Sequence, residues 1–171
     1  MLIVRTLLGA SNRSVPVDEL RADAVIRWLS SEPNPIDLRG AIEILADGEV
    51  RLDREVGHAF VLPFWSSVLR ALSGMLDGRE YTEAALAFSI LKFRVWDDGS
   101  VTCNYESAGP ISKRIFLFAC PLSEVMSGFM NAAGVFYSSM NDAAKGADTK
   151  FGDEIGGLRH LQDKWDAVRS G

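Results

Sequence analysis

Two stretches of alternating apolar and polar residues are the clearest pattern in the chain. They cover residues 42–52 and 90–105, and each contains an Asp-Gly pair, ending at Gly48 in the first and at Gly99 in the second. Asp-Gly suits the positive φ angles of tight turns between antiparallel strands. Alternation places one side of each strand on a core and the other side in solvent. Each stretch is therefore predicted to form a β-hairpin.

A short apolar strand and a helix follow each hairpin. The strands are predicted over residues 58–62 and 115–119, and a proline, Pro63 or Pro121, comes shortly after. Proline fits the first position of a helix, where its missing N–H has no intrahelical partner. Both helices carry apolar residues at helical spacing, which predicts one buried face in each. The expected buried residues are Phe64, Trp65, Val68, Leu69, Leu72, Met75 and Leu76 in the first helix, and Leu122, Val125, Met126, Phe129, Met130, Ala133, Phe136 and Met140 in the second.

The order of elements is the same in both segments, which suggests two β-β-β-α units at residues 41–77 and 88–142. The hairpin glycines (48 and 99) lie 51 positions apart and the prolines (63 and 121) lie 58 apart. The two spacings differ by seven because the second unit has a seven-residue loop insertion at residues 107–113. A chance likeness of two common motifs is the alternative, since hairpins and strand–helix links recur widely. Either way, the pattern predicts an α+β fold, an antiparallel sheet with helices on one face.

The two ends of the chain add a C-terminal helix and one segment that fits two patterns. Residues 17–29 suit an amphipathic helix and, in their second half, also a strand. The proline-containing stretch 31–35 ends either element. Residues 143–152 are predicted to be a loop and 153–168 a helix, whose first-turn acids favour the helix dipole. The expected inner stripe of this helix is Ile155, Leu158, Leu161, Trp165 and Val168.

Length and composition indicate a single domain covering residues 1–171. The chain has a mass of 18.7 kDa, with 47% hydrophobic and 24% charged residues, which is ordinary globular usage. A chain of this length buries roughly 70% of its unfolded surface, so stability requires neither a metal nor a disulfide. The apolar run at residues 1–5 is too short for a signal peptide, and the uncharged stretch 125–141 is too short and polar to span a bilayer. We expect a cytoplasmic protein with reduced thiols and no membrane contact.

Motifs for metals, cofactors and nucleophilic catalysis are missing from the sequence. The two histidines, His58 and His160, lie on different predicted elements with no further ligand at metal-binding spacing. Neither cysteine has a histidine nearby. The predicted register sets Cys103 opposite Leu117, which leaves Cys120 about 10 Å further along, beyond the reach of a disulfide. We therefore expect a protein without catalytic residues, metal or cofactor.

Charge is distributed unevenly along the chain. Residues 41–110 hold eleven acids and six bases, which accounts for the whole net charge of −5, whereas the segments before and after are neutral. A basic stripe of the kind that binds nucleic acid is missing. An acidic middle segment repels phosphate and attracts a basic partner. The sequence therefore favours a basic protein as the partner and argues against nucleic acid.

The acids at the hairpin tips are the candidate partner-binding residues. If the two units pack side by side, both tips emerge at one edge of the sheet and form a shared acidic patch. The alternative is that aspartate is present only because it suits turns, which are solvated. The candidate residues are Asp47, Glu49 and Asp53 around the first turn and Trp96, Asp97 and Asp98 around the second.

The outward positions of the second long helix are small and uncharged. They are Ser127, Asn131, Gly134 and Ser138, where a solvated helix usually carries Lys and Glu. Small side chains allow another backbone to approach closely. The favoured interpretation is that the last helix packs there through Trp165, and the alternative is a contact between subunits, so that monomer and homodimer both stay open.

A small acidic α+β protein with repeated hairpins over residues 42–140 resembles the immunity proteins that bacteria make against polymorphic toxins. The resemblance implies a non-enzymatic inhibitor that binds and neutralises a cognate toxin, often a basic nuclease. One rival hypothesis is a small enzyme or ligand-binding domain with a pocket between sheet and helices, using Asp97, Asp98 and Glu106. Another is a homodimeric adaptor that associates through the small-residue helix face.

Overall fold

The described residues form two antiparallel sheets and three helices. The computed structural model describes residues 1–8, 15–19, 39–53, 56–107, 113–144 and 152–170. The strands are β1 Leu2–Leu8, β2 Val15–Pro16, β3 Arg39–Ala46, β4 Glu49–Leu52, β5 His58–Phe60, β6 Tyr81–Ala85, β7 Ser89–Val95, β8 Ser100–Ser107 and β9 Arg114–Pro121. The helices are α1 Val61–Leu76, α2 Leu122–Ala144 and α3 Gly152–Ser170, and a short 3₁₀ turn spans Val17–Glu19. The predicted α+β class is confirmed, with the strands divided between two sheets.

Strand β3 is the centre of the first sheet. β1 pairs along one side of β3, and β2 pairs with the end of β1. The other side of β3 is shared by β4 and β5, which pair with its two halves one after the other. Between them, the carbonyl of Gly57 accepts the N–H of Ile42 at 2.7 Å. β4 and β5 therefore form one interrupted edge strand.

The second sheet is a meander of β6, β7, β8 and β9 in chain order. β6 is one of its edges. The outward N–H of Ala85 on β6 donates to Oγ of Ser67 on α1 at 3.0 Å. A helix side chain thus occupies part of an edge that would otherwise be open to pairing with another chain.

Both Asp-Gly hairpins are confirmed, and they close with different turns. In the first, Asp47 and Gly48 both have positive φ, 52° and 82°, as a two-residue type I′ turn requires. In the second, only Gly99 has a positive φ, 77°, and its N–H donates to the carbonyl of Trp96 at 2.9 Å. This is a longer loop that ends with glycine in the left-handed region.

The helix starts differ by one or two residues from those predicted. α1 begins at Val61, so that Pro63 is its third residue, and α2 begins at Leu122, directly after Pro121. The first turn of a helix has several N–H groups without intrahelical partners, so a proline at the third position also costs no hydrogen bond. Each proline therefore lies within two residues of the start of its helix, but neither is the first helical residue.

Aromatic side chains join the helices to the sheets and to each other. Phe93 of β7 meets Phe129 of α2 edge to face, with ring centroids 5.6 Å apart. Trp65 of α1 stacks on Phe136 of α2 at 6.2 Å. The residues predicted to be buried on these two helices are buried, except that Leu76 and Leu122 are partly covered.

Helix α3 packs against both α1 and α2. Leu161 and Trp165 are buried, and Ile155 and Leu158 pack against the core in part. The prediction for Val168 is wrong, because its side chain is 53% exposed. Helical periodicity continues past the point where a neighbouring helix stops covering the stripe, so the pattern alone overestimates its length.

A lysine of α3 holds the C-terminal end of α1. The Nζ of Lys164 lies 2.6 Å from Oδ1 of Asp77 and 3.3 Å from the carbonyl oxygen of Ser73. A cation is favourable here because the last carbonyls of a helix carry partial negative charge. This contact fixes how α3 lies on α1.

The two β-β-β-α units share the order of their elements but differ in strand pairing. In the first unit the third strand, β5, returns to β3, whereas in the second unit the third strand, β9, pairs with β8. Predictions for four further segments lie largely outside the described residues. They concern residues 17–29, beyond the short turn that ends at Glu19, the stretch 31–35, and the loops at 107–113 and 143–152.

Candidate functional site

Both acidic hairpin tips border the first turn of α2. At the second tip, the carbonyl of Gly99 accepts the N–H of Leu122 at 3.0 Å. At the first tip, Oδ1 of Asp47 lies 2.9 Å from the amine of Met1, which also lies 3.1 Å from Oε2 of Glu124. Leu122 and Glu124 belong to the same helical turn. The structure therefore brings the two tips to one end of the molecule and adds Glu124, which the sequence pattern did not single out.

The first tip is largely neutralised by local partners. The Met1 amine donates a hydrogen bond to Asp47 and lowers the pKa of that carboxyl. Glu49 pairs with Arg51 of the same strand at 2.8 Å. Asp53 does not join this tip, because it lies past the other end of β4, where its carboxylate accepts the N–H of Val56 at 3.0 Å.

The second tip presents two carboxylates to solvent. Asp97 is exposed and makes no ion pair with any described residue. Asp98 is exposed as well, and hydrogen bonds from the hydroxyl and the backbone N–H of Ser100 lower its pKa. Asp98 is therefore charged at neutral pH. Unlike Asp47 and Glu49, neither Asp97 nor Asp98 forms an ion pair with another described residue.

Trp96 lies beside the acidic tip, where it lines a surface hollow with Asp97 and Asp98, and it also contacts side chains on the solvent side of the second sheet. Its Nε1 donates to Oγ1 of Thr102 at 3.2 Å. The guanidinium of Arg94 lies 3.6 Å from the centroid of its ring, and the same guanidinium lies 5.2 Å from the ring of Tyr81. The tryptophan thus belongs to a stack of aromatic and cationic side chains on the solvent side of the sheet.

That solvent side, here called the outer face, carries the outward side chains of β6 to β9. Phe116 of β9 is 58% exposed on it and Tyr81 of β6 is 61% exposed. These rings and the ion-paired side chains between them line a shallow groove of about 650 Å³. An exposed sheet face with several aromatic rings is a candidate contact surface, because such residues are enriched at protein interfaces.

A second groove of about 660 Å³ runs between β1 and α2. Ser127, Asn131 and Val135 of α2 line it on one side and Trp165 of α3 on another. Trp165 is buried, as predicted. However, the predicted small-residue face is covered only in part, because α3 approaches it at Gly134, where an added Cβ would lie 4.0 Å from Leu158.

The cysteines behave as structural residues. A bulge after Cys103 shifts the strand register by one position, so that Cys103 lies opposite Phe118 instead of Leu117. Both thiols are free. Burial raises the pKa of Cys120 to about 11, and it raises the pKa of Cys103 well above the usual value of a thiol. Thiols with raised pKa values are weak nucleophiles at neutral pH.

Within the described ranges, no three or more His, Cys, Asp and Glu residues are grouped as a metal site. His58 and His160 are both exposed. No helix in the described part of the chain is long and apolar enough to cross a membrane. Comparison with family models, curated proteins and solved structures found no match to this chain.

Proposed function

We propose that this chain is a non-enzymatic immunity protein that binds a basic toxin domain and neutralises it. The observation that carries the proposal is the meeting of the two acidic tips at the first turn of α2. Asp97 and Asp98 form the centre of the contact surface, and Asp47, Glu49 and Glu124 form its surroundings.

Electrostatics support a role in fast recognition. The acidic excess of residues 41–110 produces a field that attracts a positively charged protein from a distance. Charge complementarity of this kind mainly raises the association rate, which falls as salt shortens the screening length to about 10 Å at 0.1 M. Rapid capture suits an inhibitor that must bind its toxin before damage occurs.

The exposed ion pairs at the first tip are compatible with this role. Asp47 and Glu49 are both paired to cations, but such surface pairs contribute only about 0–1 kcal/mol each. A partner cation can therefore replace the local one at small cost. Asp97 needs no such exchange.

The test compares three immobilised forms of the chain as baits for proteins from the organism that encodes it. The second bait is Asp97→Lys/Asp98→Asn, in which the asparagine keeps an acceptor for Ser100 N–H. The matched control is Asp163→Lys/Asp166→Asn on α3, which changes net charge equally at two exposed positions. Candidate partners are then purified and their association rates are measured at increasing salt.

The proposal requires a basic protein that is retained by the wild type and the control and lost from the tip variant. That protein must inhibit growth when expressed alone and be rescued by co-expression of the wild-type chain. Association should slow about tenfold or more for the tip variant at low salt. Equal retention on all three baits, or a partner without toxicity, would show that the proposed function is wrong.

A further inference from the structure

We infer that the outer face of the second sheet is the interface of a homodimer. This inference is independent of the proposed toxin contact, since the acidic tips lie at the end of the sheet next to α2 and stay at the rim of such a dimer. It rests on three features of the outer face: its exposed rings, its internal charge balance and its size.

Three rings are exposed, and two of them, Trp96 and Tyr81, are held by contacts with their neighbours. Tyr81 and Phe116 are more than half exposed and Trp96 is 41% exposed. Trp96 is fixed by its hydrogen bond to Thr102 and by the guanidinium of Arg94. Rigid aromatic side chains lose little conformational entropy on binding, so this arrangement is suited to docking.

Most charges of the outer face are already paired with each other; Arg114, which also lines the groove, forms no ion pair with another described residue. Lys92 lies 2.7 Å from Oε2 of Glu106 and 4.0 Å from Oε1 of Glu83. Arg94 lies 2.8 Å from Oε1 of Glu80. A strongly basic partner would meet these cations and a nucleic acid would meet these carboxylates, each at an electrostatic cost.

A second copy of the chain carries the same alternation of acids and bases. In a two-fold interface the same patch is used by both subunits, so a face with mixed charge can be complementary to itself. Each cation of one copy can then approach a carboxylate of the other while the rings pack between them. Among the possible occupants, a second copy therefore fits the charge pattern best.

The size of the face indicates a reversible dimer. Four strands about 4.8 Å apart and about seven residues long cover on the order of 450 Å² in projection, and somewhat more in accessible area. A standard interface buries about 800 Å² on each partner. The outer face is smaller than this and lies in the size class of weak, transient contacts, for which we expect a dissociation constant in the micromolar range.

The experiment is sedimentation velocity of the complete chain at concentrations from about 5 to about 200 µM, which bracket such a constant. Wild type should shift from one chain of 18.7 kDa towards twice that mass. Phe116→Asp and Tyr81→Asp place new carboxylates in the interface and should each raise the dissociation constant at least about tenfold. Val168→Asp is the matched control, because Val168 is 53% exposed on α3, the helix that packs against α1 and α2.

Circular dichroism identifies any variant that fails to fold. If Phe116→Asp or Tyr81→Asp fails to fold, the dissociation constant of the other variant tests the interface. A wild-type chain that stays monomeric at the highest concentration would overturn the inference. So would a dimer that both face variants leave intact, or one that Val168→Asp disrupts equally. Binding of a fluorescent oligouridine probe that is lost in Phe116→Asp would assign the outer face to nucleic acid instead.

Discussion

One buried hydrogen bond joins α1 to β1, and its removal has a calculable effect. Trp65 and Thr6 are almost completely buried, and the indole Nε1–H donates to Oγ1 of Thr6 at 3.0 Å. Thr6→Val replaces the hydroxyl with a methyl group of similar shape and keeps the β-branched side chain that strands favour. The indole N–H then stays buried without an acceptor.

The expected loss is the desolvation penalty of one buried donor. Such a penalty amounts to about 1–3 kcal/mol. For a chain of this size it lowers the melting temperature by roughly 2–4 °C per kcal/mol. Thr6→Ser is the control, because it keeps the hydroxyl and removes only a methyl group, at a cost of about 0.8 kcal/mol.

Urea unfolding of the single and double variants isolates the hydrogen bond. In a Trp65→Phe background the unpaired N–H is gone, so Thr6→Val should cost about 1–2 kcal/mol less there than in the wild type. Equal costs in both backgrounds, or a cost for Thr6→Val below that of Thr6→Ser, would refute the reasoning. In that case the contact between Trp65 and Thr6 contributes only by packing.

Three further predictions concern glycines, a lysine and a thiol. Gly57→Ala should strongly destabilise the fold, because the added Cβ would collide with the Ile42 carbonyl. Gly156→Ala should instead stabilise α3 by about 0.5–1 kcal/mol, because the space around Gly156 is open. Thermal unfolding measures both changes. Lys164→Met should lower the melting temperature by a few degrees at pH 7. Lys164 lowers the pKa of Asp77, so the ion pair stabilises the wild type only while Asp77 is charged. Its contribution to the difference in melting temperature between wild type and variant should disappear as pH falls below about 4 and Asp77 is protonated. Alkylation of native protein, followed by peptide mass mapping, should label Cys120 before the buried Cys103. The rate should still rise with pH above 9, since the pKa of Cys120 is about 11; a plateau near pH 9 would contradict this.

The hairpins and the buried helix faces could be predicted because their signals are local. Asp-Gly at the turns and apolar residues at helical spacing report directly on backbone conformation and on burial. Two strands, β1 and β6, carry no such signal in the sequence argument. β1 becomes a strand because β3 pairs along its full length, which is a contact between residues that lie far apart in the chain.

Pairing partners were the part of the fold that local patterns could not supply. β5 returns to β3 because Gly57 allows the chain to pass close to the Ile42 carbonyl. The chain can then pair with β3 on the same side as β4. The bulge after Cys103 shifts the opposite residue from Leu117 to Phe118 in the same way. Both depend on backbone contacts that leave no mark on hydrophobic periodicity.

The candidate site shows the same division between local and long-range information. Acids at the turns could be found from the sequence, but Glu124 joins them only through the position of α2, and Asp53 leaves them because β4 carries it to the other end. Counting charges also treats paired and unpaired carboxylates alike, although Glu49 is paired with Arg51 and Asp97 is unpaired within the described residues.

This difference separates two effects on partner binding. At distances beyond a few ångströms the field depends on net charge, so paired acids and their cations largely cancel and Asp97 and Asp98 dominate attraction. In the bound state, Asp47 and Glu49 contribute only after their exposed local pairs are exchanged, at a cost of about 0–1 kcal/mol each. Reversal of Asp97 should therefore slow association with a basic partner. Glu49→Gln/Arg51→Gln removes both members of the local pair and keeps the net charge, so it should leave the association rate nearly unchanged and alter mainly the dissociation rate. Stopped-flow measurements on both variants distinguish these effects, and an equal slowing of association by both would show that the local pairing of Glu49 does not matter.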